Sequence, residues 1–192
     1  MPYYYPIDYR PEYVPKAESY IQFASVYRDS LKKLLRSFDE QAPIHDYSLA
    51  PAVMLLIHYI ELTLKGTLHH CKIGSHEPLG THNLSYLYKK AHEEVEYRFG
   101  SPGKSNPDVD KFIMFLGNFD NKSQAFRYPE TKLGEDIGFA EMNDWLYDRL
   151  CTLPKFTEIS EKIIADLDGL AAYVSIQLEN EQETMRYADM NR

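Results

Sequence analysis

The stretch from Ser48 to His70, SLAPAVMLLIHYIELTLKGTLHH, constrains the fold more than any other part of this chain. Its apolar residues fall on nearly every side of an α-helix, so such a helix has to be covered all round. That is the position of a central bundle helix. A membrane span would need about 18–20 uninterrupted apolar residues, and here His58 and Glu61 break the run. Pro51 is tolerated in the first turn, where its missing N–H has no partner to lose. At 192 residues, 44% apolar and 26% charged, the chain has the size and mix of one globular domain.

The flanking segments carry one apolar stripe each, as the covering helices of such a core must. Tyr20, Phe23, Ala24, Tyr27, Leu31, Leu34, Leu35 and Phe38 follow the 3-4 spacing of a buried face, and Asp39 to Pro43 end it. A third helix is expected from near Thr81, a candidate N-cap, through Leu84, Leu87, Tyr88, Ala91 and Val95 to Gly100. A fourth opens at Asn106 and Pro107 and presents Val109, Phe112, Ile113 and Leu116. The last runs from Pro154 to about Glu183 with Ile159, Ile163, Leu167, Leu170, Val174 and Leu178 on one side. The expectation is an all-α bundle of four to five helices over residues 16–184, flanked by a Tyr/Pro-rich extended arm at 1–15 and a frayed tail at 185–192. Between Asp120 and Leu153 the periodicity fails, and only MNDWLYDRL suggests a short helix. An irregular segment of this length before the last helix points to function or to an interface. The arm, with Tyr3, Tyr4, Tyr5, Tyr9 and Tyr13 among prolines, is too aromatic for simple disorder and is expected to pack on its own domain or on a partner.

A formal net charge of −8 opposes non-specific binding to nucleic acid, which depends on phosphate neutralisation. Any RNA or nucleotide site must then be a local pocket. Arg28, Lys32 and Arg36 align on one helix face, which reads as solvated. Cys71 and Cys151 are too few for a disulfide framework, and the N-terminus lacks the basic start and apolar stretch of a signal peptide. These features suggest a cytoplasmic protein without a membrane segment.

Five polar residues on the central helix do not fit its apolar surroundings. His58, Glu61, Lys65, His69 and Lys72 step by 3, 4, 4 and 3 and form one narrow stripe. Glu61 and Lys65 stand in the favourable order for an i,i+4 pair. Two readings follow: a solvent-facing seam, or the polar wall of a pocket built between helices. The run HHCKIGSHEPLGTH gathers His69, His70, Cys71, His76 and His82, but the adjacent histidines point apart and the spacing lacks paired ligands. No metal and no cofactor are expected. His82 reads as a helix-start residue that packs or hydrogen-bonds locally. No phosphate loop, Rossmann glycine pattern or nucleophile elbow occurs, and Cys71 and Cys151 sit in contexts typical of buried structural thiols.

Three segments, taken in order, resemble the HEPN superfamily (higher eukaryotes and prokaryotes nucleotide-binding domains). They are IHYIELTLKGTLHH, GTHNLSYLY and FDNKSQAFRYP, and the likeness covers residues 48–130. The resemblance implies an antiparallel helical bundle, a homodimer with its functional groove at the interface, and a nucleotide or RNA as ligand. HEPN ribonucleases carry an arginine followed about four to six residues later by a histidine. None of Arg10, Arg28, Arg36, Arg98, Arg127, Arg149, Arg186 and Arg192 is so followed. The resemblance therefore brings the fold and a ligand groove without the nuclease motif.

In SQAFRYP, Pro129 biases Tyr128 to an extended conformation, so Phe126 and Tyr128 point to opposite sides of Arg127. A guanidinium beside aromatic rings suits phosphate or carboxylate capture with base stacking. It equally suits an internal clamp onto Glu61 or Asp120. The expected ligand-binding set is His58, Glu61, Lys65, His82, Asp120, Ser123, Arg127 and Tyr128. The expected function is a non-catalytic nucleotide- or RNA-binding module. The alternatives are a divergent metal-independent ribonuclease using Arg127 with His82 or His58, and a structural partner in a protein complex.

Overall fold

A computed structural model describes residues 16–38, 46–71, 80–119 and 153–190 of the chain. These form five helices: α1 (Lys16–Ser37), α2 (Asp46–Cys71), α3 (Leu84–Phe99), α4 (Pro107–Phe119) and α5 (Leu153–Met190). No strand occurs among the described residues, and the expected all-α bundle is what forms. The aromatic arm, Lys72, His76, Cys151, the MNDWLYDRL stretch and the SQAFRYP segment lie outside the described residues.

α2 is the centre. Leu49, Ala52, Val53, Leu56, Ile57, Tyr59, Ile60, Leu64 and Leu68 are all buried and share one core with α1, α3, α4 and α5. The covering helices use the stripes that their spacing indicates. Ala24, Leu31 and Leu35 come from α1, Leu84, Leu87 and Ala91 from α3, Val109, Ile113 and Leu116 from α4, and Ile163 and Leu167 from α5. Cys71, Val95, Leu170 and Val174 form a smaller cluster where α2 ends.

Contacts along the helices give their directions. Tyr20 stacks on His69 while Tyr27 stacks on His58, so α1 and α2 are antiparallel. Tyr88 reaches Asp110 and Ser85 reaches Met114, so α3 and α4 are antiparallel too. By contrast, Glu61 meets His82 and Cys71 meets Arg98, which sets α2 and α3 in the same direction. Residues 80–83, just before α3, accordingly lie beside the middle of α2.

The helix ends follow local chemistry, with shifts from expectation. α3 starts after Asn83, whose side chain accepts from the Tyr86 N–H at 2.8 Å. Thr81, the expected cap, instead accepts from the Asn83 N–H at 3.1 Å. An amide carbonyl two residues later is better aimed at the first free N–H groups, so Asn83 wins. Gly100, at φ 84°, closes α3 with its N–H on the Glu96 carbonyl. α2 begins at Asp46, which puts Pro51 in the second turn. α5 continues to Met190 instead of fraying after Glu183, since its last residues are ordinary helix formers that need no core contact to stay helical.

Two side chains tie the helices together, and neither stands out in the sequence. Asp168 on α5 accepts from Arg28 of α1 and from the hydroxyl of buried Tyr59 of α2, both at 2.9 Å. Arg98 of α3 donates to the carbonyls of His70 and Cys71 and pairs with Glu181 of α5 at 2.8 Å. It thus satisfies acceptors that the C-terminus of α2 would otherwise leave unpaired.

Close approach fixes two glycines. A Cβ on Gly66 would meet the Ile21 side chain at 2.6 Å, and one on Gly117 would run into the backbone nitrogen and hydroxyl of Ser85. At Gly117 the obstacle is backbone, which cannot rotate aside. Gly117→Ala is therefore expected to lower stability by about 1–3 kcal/mol or more, the cost of overpacking, measured by urea unfolding. An unchanged midpoint would show that α3 and α4 are not held this closely.

Candidate functional site

The middle of the polar stripe on α2 is buried. Glu61 and Lys65 are each 5% exposed, and Lys65 Nζ lies 2.9 Å from Glu61 Oε1. The helix places the pair on one face, and the surrounding helices then bury it. His82, just before α3, brings Nδ1 to 2.9 Å from the same oxygen. A carboxylate only accepts, so Nδ1 carries the proton and Glu61 fixes the tautomer of His82. The His82 side chain remains 47% exposed. It is the part of this cluster that faces outward. Glu61 Oε2 is buried and makes no hydrogen bond.

The remaining histidines of the stripe serve packing. His58 stacks on Tyr27 with ring centres 4.9 Å apart, and its Nδ1–H donates to the Met54 carbonyl at 2.8 Å. His69 stacks on Tyr20 at 5.2 Å. Both imidazoles line the α1–α2 contact. Of the expected ligand-binding residues, the structure thus brings Glu61, Lys65 and His82 together and turns His58 toward α1. Asp120, Ser123, Arg127 and Tyr128 lie outside the described residues, as does any clamp between Arg127 and Glu61. The solvent-facing seam is corrected for Glu61 and Lys65, which the surrounding helices bury, while His58 and His69 are half-buried. The local role expected of His82 is corrected as well, because α3 begins after it and its partner is on α2.

Among the described residues no group of His, Cys, Asp and Glu is arranged to hold a metal ion. Burial pushes the Cys71 thiol up to about 11, far from the thiolate that nucleophilic chemistry requires.

A second polar cluster was not visible in the sequence. Tyr88 and Ser105 donate to the two oxygens of Asp110 at 2.6 and 2.9 Å. His92 packs edge-on against Tyr88 at 4.6 Å, and Asp166 of α5 accepts a long 3.4 Å bond from the Asn106 N–H. Burial holds the His92 imidazole below its ordinary range and pushes the Asp166 carboxyl above its own. A cavity of about 230 Å³ opens beside them, lined in part by His92, Lys104, Ser105 and Asp166. The signal in the sequence was faint: Tyr88 and His92 stand four apart on an otherwise apolar face.

Searches against protein-family models, curated proteins and solved structures return no match. The likeness to HEPN domains rests on the three sequence segments.

The chemistry of the Glu61 cluster gives a direct test. Lys65→Ala would leave a buried carboxylate with His82 as its one remaining partner, and a loss of about 3–5 kcal/mol is expected. Replacing both Glu61 and Lys65 by leucine removes both charges and should recover much of that loss. Urea unfolding of the three proteins measures the difference. A cost well below 1 kcal/mol for Lys65→Ala would mean that water reaches the pair.

Proposed function

We propose that this chain is a HEPN-like, non-catalytic binding and interaction module of the cytoplasm, homodimeric, with a nucleotide or RNA as ligand at the His82 face. The observation that carries this reading is the buried Glu61, which holds a half-exposed imidazole in one tautomer and orientation. A preset imidazole edge offers hydrogen bonding and stacking to a base or a sugar hydroxyl with little ordering cost on binding. The acidic chain favours a ligand recognised at one local site over a long polyanion. The exposed apolar residues Ile176, Met185 and Met190 on the outer part of α5 support a symmetric dimer or a protein partner.

The non-catalytic assignment follows from charge placement. Metal-independent RNA cleavage needs a base for the 2′-hydroxyl and a cation for the developing phosphate charge. Lys65, the cation beside His82, is buried and spent on Glu61. A divergent ribonuclease is the second reading, favoured by the same Glu61–His82 pair, which resembles a carboxylate-oriented general base. Arg127 would then be its cation.

Fluorescence anisotropy with a labelled single-stranded RNA of about ten nucleotides, together with a cleavage assay in chelator, separates these. Binding that falls at least about tenfold in His82→Ala, with the RNA intact, is the expected outcome. Cleavage in chelator that vanishes in both His82→Ala and Arg127→Ala would replace the module with the enzyme. Neither binding nor cleavage would leave a structural partner in a protein complex. Sedimentation at micromolar concentration is expected to give a dimer, and a 22.4 kDa species would count decisively against that part of the proposal.

A further inference from the structure

Gly169 stands in the middle of α5, where glycine is the poorest helix former short of proline. Close packing does not require it, because a Cβ at this position would meet nothing within 4 Å. The space it leaves belongs to the cavity of about 230 Å³ beside the His92 cluster. α3, α5 and the connection between α3 and α4 border that cavity. It falls below the range of about 300–1,000 Å³ typical of drug-sized ligands, so it suits a small molecule.

Two opposite charges line this cavity without meeting. Asp166 of α5 and Lys104 of the connection both border it. Neither forms an ion pair with any described residue. The hydrogen bond that Asp166 accepts from the Asn106 N–H is long, at 3.4 Å. Burial pushes its carboxyl above the ordinary range, so its present partners do not make up for the water it has lost. The other polar groups leave the gap open. Ser105 turns its hydroxyl to Asp110, and burial holds the His92 imidazole in its neutral form at neutral pH. The buried Nε2 of His92 has no hydrogen-bond partner. Asp110, which does not line the cavity, has both oxygens occupied by Tyr88 and Ser105. The lining thus carries one carboxylate and one ammonium, and its charges balance.

We infer that this cavity binds a free α-amino acid with a small apolar side chain. The ammonium group of the ligand donates to Asp166, and its carboxylate accepts from Lys104. The zwitterion thereby joins two charges that the protein leaves apart. Its side chain occupies the space beside Gly169, against Leu170 and Pro102. A molecule carrying one of the two charges leaves the other protein group without a partner, which is the basis of selection. The site shares no residue with the Glu61–His82 cluster and does not depend on the RNA-binding reading.

Titration of the full chain at low salt, followed by amide shifts in proton–nitrogen correlation spectra, tests the assignment with matched probes. These are L-alanine, ethylamine, which lacks the carboxylate, and propionate, which lacks the ammonium. L-Alanine should bind with a Kd of about 1 mM or tighter, and each fragment at least about tenfold more weakly. Asp166→Asn keeps an acceptor for the Asn106 N–H, and Lys104→Ala alters an exposed side chain. Each should weaken L-alanine at least about tenfold. Gly169→Leu should abolish binding by filling the cavity, while the thermal midpoint holds or rises because leucine is the better helix former. His82→Ala should leave the affinity intact, so that failure here is separable from failure of the RNA reading. The inference is overturned if L-alanine moves no amide at about 10 mM, or if either fragment binds as tightly as L-alanine. It is also overturned if Gly169→Leu, Lys104→Ala or Asp166→Asn keeps the wild-type affinity.

Discussion

The burial of most of α2 is the constraint on which the rest of this structure depends. A helix covered this far must find internal partners for its buried polar groups, or bear a desolvation cost, as Thr63, Thr67 and the second oxygen of Glu61 do. Tyr59 meets this by donating to Asp168, and Glu61 by accepting from Lys65 and His82. The carbonyls at its C-terminus meet it through Arg98. Each partner other than Lys65 comes from a different helix or connection. The polar contacts of the centre therefore also decide how the covering helices are arranged around it.

The same constraint explains why the candidate site looks as it does. A Glu–Lys pair on an exposed helix is worth a few tenths of a kcal/mol and has no structural consequence. Buried, it becomes costly to break, and it turns Glu61 into a rigid acceptor for whatever approaches from outside. His82 is what approaches, because α3 begins beside the middle of α2. With Glu61 behind it, His82 is the half-exposed side chain of the cluster. The α1–α5 groove is the complementary case. There an opening between the two helices is lined by Lys32 and Arg36 of α1 and by Glu158, Glu161 and Asp168 of α5.

Much of the fold was legible from residue spacing. The five helices, their buried faces and the central place of α2 all follow from apolar periodicity, since that pattern is set within each segment. The stop at Gly100 and the start at Pro107 were equally readable, because helix ends depend on a handful of adjacent residues. The cap of α3 was misplaced onto Thr81, two residues early. Thr and Asn are both good caps, and the choice between them turned on which side chain faced the first free N–H groups. The basic stripe on α1 was legible as a stripe, with Arg36 exposed and Lys32 half-exposed, but not that Arg28 pairs with Asp168 far along the chain.

What the sequence determined by itself is therefore local: helix positions, buried faces and the Glu61–Lys65 pair, all consequences of the helical repeat within one segment. Only the tertiary structure decided that the pair is buried, that His82 joins it, that Asp168 links α1 to α2, and that Arg98 closes the end of α2. Their partners lie from 21 to 140 residues away in the chain. No period in the sequence encodes such distances. They follow from which helices pack side by side and from the demand that buried polar groups be paired.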